Sequence, residues 1–186
     1  MFIQIEETPN PESLKFLPGR VVMDVGTMSF TQEADCGRSP FARRLLQIEG
    51  VVGVFFGNDF ITITKISEKE WYVLKPIVLG VIMEQFVANL PVLLDEVVGA
   101  NKTASDLEND DPLIRQIREL IDTRVRPAVA QDGGDILFHS FTDGIVYLKM
   151  QGACAGCPSS SATLKSGIEN MLRYYVPEVL EVRAVE

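Results

Sequence analysis

The chain has 186 residues, 46% of them hydrophobic, and a net charge of −9 from 17 basic and 26 acidic groups. That length supports one or two domains with a real core, and so acidic a surface repels phosphate backbones, which disfavours general nucleic-acid binding, with no Lys/Arg cluster longer than Arg43-Arg44. No apolar run reaches the roughly 20 residues a membrane helix needs, and the longest, Pro76 to Met83, is bounded by Lys75 and Glu84. The opening Met1-Phe2-Ile3-Gln4-Ile5-Glu6-Glu7 is acidic and alternating, where a targeting segment would be basic. Three cysteines cannot all pair, and without an export signal they point to a metal or redox pair in a reducing compartment. A bacterial-type cytoplasm is the expected location; an organelle form with its leader removed would read the same.

In the first part of the chain, short strands are expected at Phe2 to Glu6, Leu14 to Leu17 and Thr27 to Phe30. Ser39 and Pro40 form the cap and first position of a helix running through Gln47, with Arg43-Arg44 on its solvated side. Val51 to Phe56 and Phe60 to Lys65 flank Gly57-Asn58-Asp59, the signature of a hairpin. Trp71, Leu74, Val78, Ile82 and Phe86 then recur at three- and four-residue spacing, so a helix packs this stripe inward. Pro76 implies that this helix kinks or starts late.

Charge divides the chain. Residues 1–88 hold 11 acidic and 8 basic groups and residues 112–186 hold 9 and 8, whereas 89–111 hold 6 acidic groups against Lys102 alone. From Gly99 to Asp111 the stretch is also polar and aperiodic, and too little apolar surface is available to offset ordering entropy. The expected organisation is α+β, with two small mixed domains at 1–88 and 112–186 joined by an acidic flexible linker at 89–111; Leu90 to Val98 is apolar enough to dock on either domain.

The second domain opens with Asp111 as cap, Pro112 in the first turn, and a buried stripe of Leu113, Ile117, Leu120, Ile121 and Val125. Pro127 strains the end of this helix and Gly133-Gly134 stops it. Strands Ile136 to Phe141 and Ile145 to Met150 turn at Thr142-Asp143-Gly144. A cysteine-bearing loop leads into a helix whose Leu164, Ile168, Met171 and Tyr175 share a face, and Val179 to Val185 closes the chain as a strand.

The chemistry lies in Gly152-Ala153-Cys154-Ala155-Gly156-Cys157-Pro158-Ser159-Ser160-Ser161. The spacing lets both sulfurs face one metal or cluster, and the small residues between them let the backbone approach a bulky inorganic core. A helix starting at Pro158 offers unpaired amides and a positive end, which favour thiolate over thiol in an exposed loop. Three readings compete. A thioredoxin-like pair also sits at a helix start, but here no strand–helix crossover domain surrounds it and Pro follows the second Cys. Zinc needs about four ligands, and the domain adds only His139, expected to be structural or solvent-facing. An iron–sulfur cluster wants four thiolates, which two copies of the chain would supply.

The stretch Asp132-Gly133-Gly134-Asp135, then Gly152 through Ser161, then Thr163-Leu164-Lys165-Ser166-Gly167-Ile168-Glu169 resembles the NifU C-terminal domain of Nfu-type iron–sulfur carriers. Thr8-Pro9-Asn10-Pro11 with Leu14-Lys15-Phe16-Leu17-Pro18-Gly19, and Gly50-Val51 with Val54 through Thr62, resemble the N-terminal domain such carriers often have. The resemblance implies a non-catalytic carrier that holds a transient [4Fe–4S] cluster bridging a homodimer, with Cys154 and Cys157 as the cluster and metal ligands. It implies upstream iron–sulfur scaffold or carrier proteins as donors. The implied recipients are apo iron–sulfur enzymes, such as lipoyl synthase, aconitase or respiratory dehydrogenase subunits. Under this reading the first domain recognises clients or assembly partners.

Other residues have plainer expectations. Cys36 has no partner at ligand spacing and reads as an incidental thiol. Asp132 and Asp135 read first as a helix stop and turn, with tuning of the cysteine site as the alternative. The serines after Pro158 read as caps, and Trp71 as core.

Overall fold

Alternating polar and apolar residues in the first half of the chain resolve into an antiparallel sheet in the computed structural model, which describes residues 2–94, 111–155 and 158–185, the side chains of 33–35 and 158–161 excepted. The chain divides into two compact units, Met1–Val98 and Gly99–Glu186, each an α+β fold. Among the described residues no helix is long and apolar enough to cross a membrane.

In the first unit, β1 (Gln4–Glu7), β2 (Ser13–Leu17), β3 (Met28–Phe30), β4 (Val51–Phe56) and β5 (Ile61–Lys65) form a sheet in the order β1-β2-β5-β4-β3, antiparallel throughout. Its register aligns Ile5, Phe16, Ile61, Phe56 and Met28 in one row across the sheet. Period-two alternation puts that whole row on one face, so a one-residue slip would turn it outward. Helices α1 (Pro40–Leu46) and α2 (Trp71–Val87) cover this face with Leu45, Leu74, Val78 and Ile82, all buried. Phe41 stacks on Phe56 at 5.4 Å between ring centroids, which fixes α1 against the sheet centre.

Helix α2 starts at Trp71 and runs through Pro76, so the late start allowed by the proline does not occur. Trp71 is half-buried, a surface pin more than a core residue: its indole donates to the Pro11 carbonyl at 3.0 Å and Lys65 sits over its ring. Beyond α2 the chain stays tied to this unit as far as Leu94. Gln85 donates to the Leu90 and Pro91 carbonyls, Ser39 Oγ donates to the Val92 carbonyl at 2.7 Å, and the Leu94 amide donates to Arg38. The remaining acidic stretch, 95–110, lies outside the described residues.

The second unit begins with α3 (Pro112–Leu120), whose first turn is capped by Asp111 accepting from the Leu113 amide at 2.9 Å. Pro127 does not end the helical run. A π-helical segment, Ile121–Val125, widens the turn before it, with the Arg126 amide donating to Ile121, and α4 (Arg126–Gln131) continues. Proline lacks an amide and crowds the carbonyl four residues back, and the wider turn relieves both problems. Strands β6 (Gly134–Thr142) and β7 (Ile145–Gly152) form a hairpin turned by Asp143 and Gly144, both with positive φ. Helix α5 (Pro158–Tyr175) crosses over so that β8 (Glu181–Val185) pairs parallel with β7. Ile117, Ile121, Val129, Ile136, Leu148, Leu172 and Val182 fill the core. Leu172 takes the inward place on α5 that the apolar spacing assigned to Tyr175, which is instead exposed beneath Arg124.

Ser39 both caps α1, accepting from the Ala42 amide at 3.0 Å, and holds Val92. Ser39→Ala should therefore destabilise the first unit by about 1–3 kcal/mol in urea unfolding. It should also speed hydrogen exchange at Leu94. A loss under about 0.5 kcal/mol would show that neither bond matters.

Candidate metal centre

The β6–β7 ladder is longer than the apolar pattern suggests, and its extra register pairs are what build the cysteine site. It runs to Gly134 opposite Gly152, past the expected ends at Ile136 and Met150. Gly133 (φ 81°) closes α4 and Gly152 (φ 64°) lets the chain leave β7, both in the left-handed region where a side chain is strained. The Ala153 amide then donates to the Gly133 carbonyl at 3.2 Å, tying the cysteine loop to the α4–β6 turn.

That tie presses Cys154 against β6. A Cβ at Gly134 would stand 2.5 Å from the Cys154 sulfur and 2.8 Å from the Gln151 carbonyl, closer than any real contact. Only glycine fits there. Cys154 is 6% exposed and belongs to the core cluster that includes Val129, Ile136 and Ile168. Burial, then the charges of Asp132 and Asp135, push its thiol up from 9.0 to about 12. The expectation of an exposed, thiolate-favouring Cys154 is thus overturned. Helix-end stabilisation reaches only the first turn, and Cys154 precedes α5 on the side of the sheet. Cys157 lies outside the described residues.

Asp135 is more than a turn residue. It is 3% exposed, and its two oxygens accept from Arg126 Nε and Nη2, both at 2.8 Å, while Oδ1 also accepts from the Ile136 amide. Arg126 reaches Asp122 at 3.3 Å as well, and the bond to Asp135 raises its pKa further. The forked pair fixes the start of β6 beside the cysteine loop. Asp132 ends α4, as the sequence implies. His139 is exposed at the β6 bulge with its ring next to Ser140, and Cys36 is buried in the other unit with its thiol donating to the Gln32 carbonyl at 3.5 Å. Among the described residues no group of three or more His, Cys, Asp or Glu is placed to hold a metal ion.

Arg126 and the tight approach of Gly134 went unrecognised in the sequence. The double glycine hinted at a close backbone contact, whereas nothing in the spacing links Arg126 to Asp135.

Comparison with known proteins bears on both units. A family model described as NifU-like domain matches residues 117–183, and one described as Scaffold protein Nfu/NifU N terminal matches residues 3–89. A human protein named NFU1 iron-sulfur cluster scaffold homolog, mitochondrial, is 50% identical over all 186 residues, which span 72% of it. This chain belongs to the NifU/Nfu family. The Drosophila sechellia protein of the same name is 52% identical, and this chain spans 65% of that relative's length. A solution structure of a NifU-like protein from Saccharomyces cerevisiae aligns with 52% of this chain and 87% of its own, at 25% identity and a TM-score of 0.47.

In the metal-free Nfu chain, iodoacetamide at pH 8 should alkylate Cys154 at least about a hundredfold more slowly than in the unfolded chain, because so little of the thiol is ionised. The rate should keep climbing with pH toward the raised value of about 12. Gly134→Ala should accelerate it about tenfold or more by displacing the sulfur. Equal rates in folded, unfolded and variant chains would mean that Cys154 is not held there.

Proposed function

We propose that this chain carries a [4Fe–4S] cluster between two subunits and delivers it to apo iron–sulfur enzymes, without catalytic turnover of its own. The observation behind this reading is a Cys154 thiol cradled at Gly134, three residues ahead of Cys157, within the region matched by the NifU-like domain. Such a cluster takes four thiolates. One chain brings two in this segment, so a homodimer with Cys154 and Cys157 from each subunit completes the set. The iron-sulfur cluster scaffold names of the relatives support the same assignment.

The electrostatics suit a cargo that arrives and leaves. Without iron, burial and two carboxylates keep Cys154 protonated. Bonding to iron would offset that local preference: Cys154 gives its proton to solvent and its sulfur displaces a donor thiolate from a cluster iron, one iron–sulfur bond replacing another. On delivery a client thiolate replaces Cys154 at iron, and the freed sulfur regains a proton and its buried place. A redox pair would want the opposite, a sulfur of lowered pKa ready to attack a disulfide.

Within this reading the first unit recognises upstream iron–sulfur scaffold or carrier proteins and client enzymes. Free thiols need a reducing compartment. The relatives' mitochondrial names favour an organelle over the bacterial-type cytoplasm expected from composition.

The test is transfer. Chain loaded anaerobically should restore activity to an apo-aconitase, Cys154→Ser and Cys157→Ser should each abolish this, and Cys36→Ser should match the unmodified chain. A chain that takes up no iron yet cycles between dithiol and disulfide with a reductant would replace the carrier by a redox protein.

A further inference from the structure

Lys65 is a buried cation that the cluster chemistry does not use. It ends β5 at 8% exposure, where a lysine normally has an acidic partner. Among the described residues no carboxylate oxygen lies within 4 Å of its ammonium, which donates to the Ile66 carbonyl at 3.3 Å and stands over the Trp71 ring at 5.9 Å. Lysine has three N–H donors, so one carbonyl leaves donors to spare and the charge without a counter-ion. Trp71 opens α2, and that helix end is unfilled as well. Glu70 at its cap makes no side-chain bond, no acid lies in the first turn, and the Trp71 and Tyr72 amides have no acceptor among the described residues. Glu12 is engaged by Ser67 and Glu49 by Lys69, while Glu68 and Glu70 stay exposed. The corner is nonetheless rigid. The Trp71 indole donates to the Pro11 carbonyl, and the turn before it is held by Thr8 Oγ1 donating to the Asn10 carbonyl at 2.8 Å and by Asn10 Oδ1 accepting from the Glu12 amide at 3.0 Å.

We propose that this corner of the first unit receives a carboxylate from an acidic side chain of a partner protein, bound by the Trp71 and Tyr72 amides with Lys65 as counter-ion. Charge decides the class of ligand. One ammonium and a helix end worth about half a charge balance a singly charged carboxylate, whereas a phosphate group would bring about two negative charges to one cation. The surroundings decide its source. Tyr72 is 77% exposed and Trp71 half-buried next to it, an aromatic rim that residues flanking the acid in a partner would cover and a free small anion would not. The like charges of Glu68 and Glu70 weaken the hold on any lone anion, so affinity depends on those flanking contacts. The turn at Thr8 to Pro11, outside the cysteine chemistry, then has the task of fixing the indole at this site. That the partner is an iron–sulfur scaffold or client rests on the carrier reading. The carboxylate site itself does not, since it contains no cysteine.

Two-dimensional NMR of the metal-free, isotope-labelled full chain tests it, with acetate, inorganic phosphate, chloride at matched ionic strength and acetyl-Leu-Glu-Leu-amide as probes. The Trp71 and Tyr72 amide signals should move saturably with acetate and with the peptide, the peptide binding more tightly by about tenfold or more. Phosphate should bind no better than acetate. Lys65→Met should weaken peptide binding about tenfold. Glu70→Gln, at an exposed position, should tighten it about twofold, and it decides the matter if Lys65→Met does not fold. Shifts no larger than with chloride, or folded variants that bind as the unmodified chain does, would overturn the site. Peptide and acetate binding alike, or phosphate binding best, would overturn a partner's carboxylate as its occupant. No iron is present, so a negative result here is distinct from any failure of cluster binding.

Discussion

The approach of β6 to the cysteine loop is the constraint on which the second unit is built. Gly134 leaves no room for a side chain beside the Cys154 sulfur, and the register that places it there runs the length of the β6–β7 ladder from the Asp143–Gly144 turn. Around that contact, left-handed backbone at Gly133 and Gly152 lets α4 stop and β7 be left within a few residues. The Asp135–Arg126 fork secures the strand start from the helix side. Even the π-helical segment has a place in this arrangement: it carries the helix past Pro127, so that Arg126 remains in register to reach Asp135.

The same contact decides the electrostatics. A sulfur in the core beside two carboxylates favours its proton, and a thiol so held resists oxidation and reacts slowly. Direct bonding of the sulfur to iron would offset this preference by exchanging the proton for the metal. On the proposed reading, a thiol that keeps its proton until iron arrives suits a carrier, which must spend part of its cycle without cargo. A catalytic thiol would need the reverse.

Legibility in the sequence followed the range of the interactions. Local signals were readable: the Ser39–Pro40 cap, the Asp111 cap, the hairpins at Gly57 to Asp59 and at Asp143–Gly144, and the α2 stripe from Leu74 to Phe86 all appear as their residue patterns imply. The α+β class follows from them. The readings that changed depend on tertiary contacts. Cys154 looked exposed because helix-end chemistry is visible in sequence, while the packing of β6 against it is not. The ion pair between Arg126 and Asp135 joins a helix to a strand across a turn, and no periodicity encodes it. Leu172 and Tyr175 sit three positions apart on α5, so the apolar spacing alone could not choose which turns inward; Leu172 joins the core with Val179 and Val182, a tertiary contact.

The central claim, that two copies of this chain share one cluster through Cys154 and Cys157, is tested most directly by native mass spectrometry after anaerobic reconstitution with iron, sulfide and reductant. The account predicts a species of two chains plus one Fe₄S₄ unit, absent in Cys154→Ser. Single chains each binding their own metal, or dimers containing no iron, would contradict it.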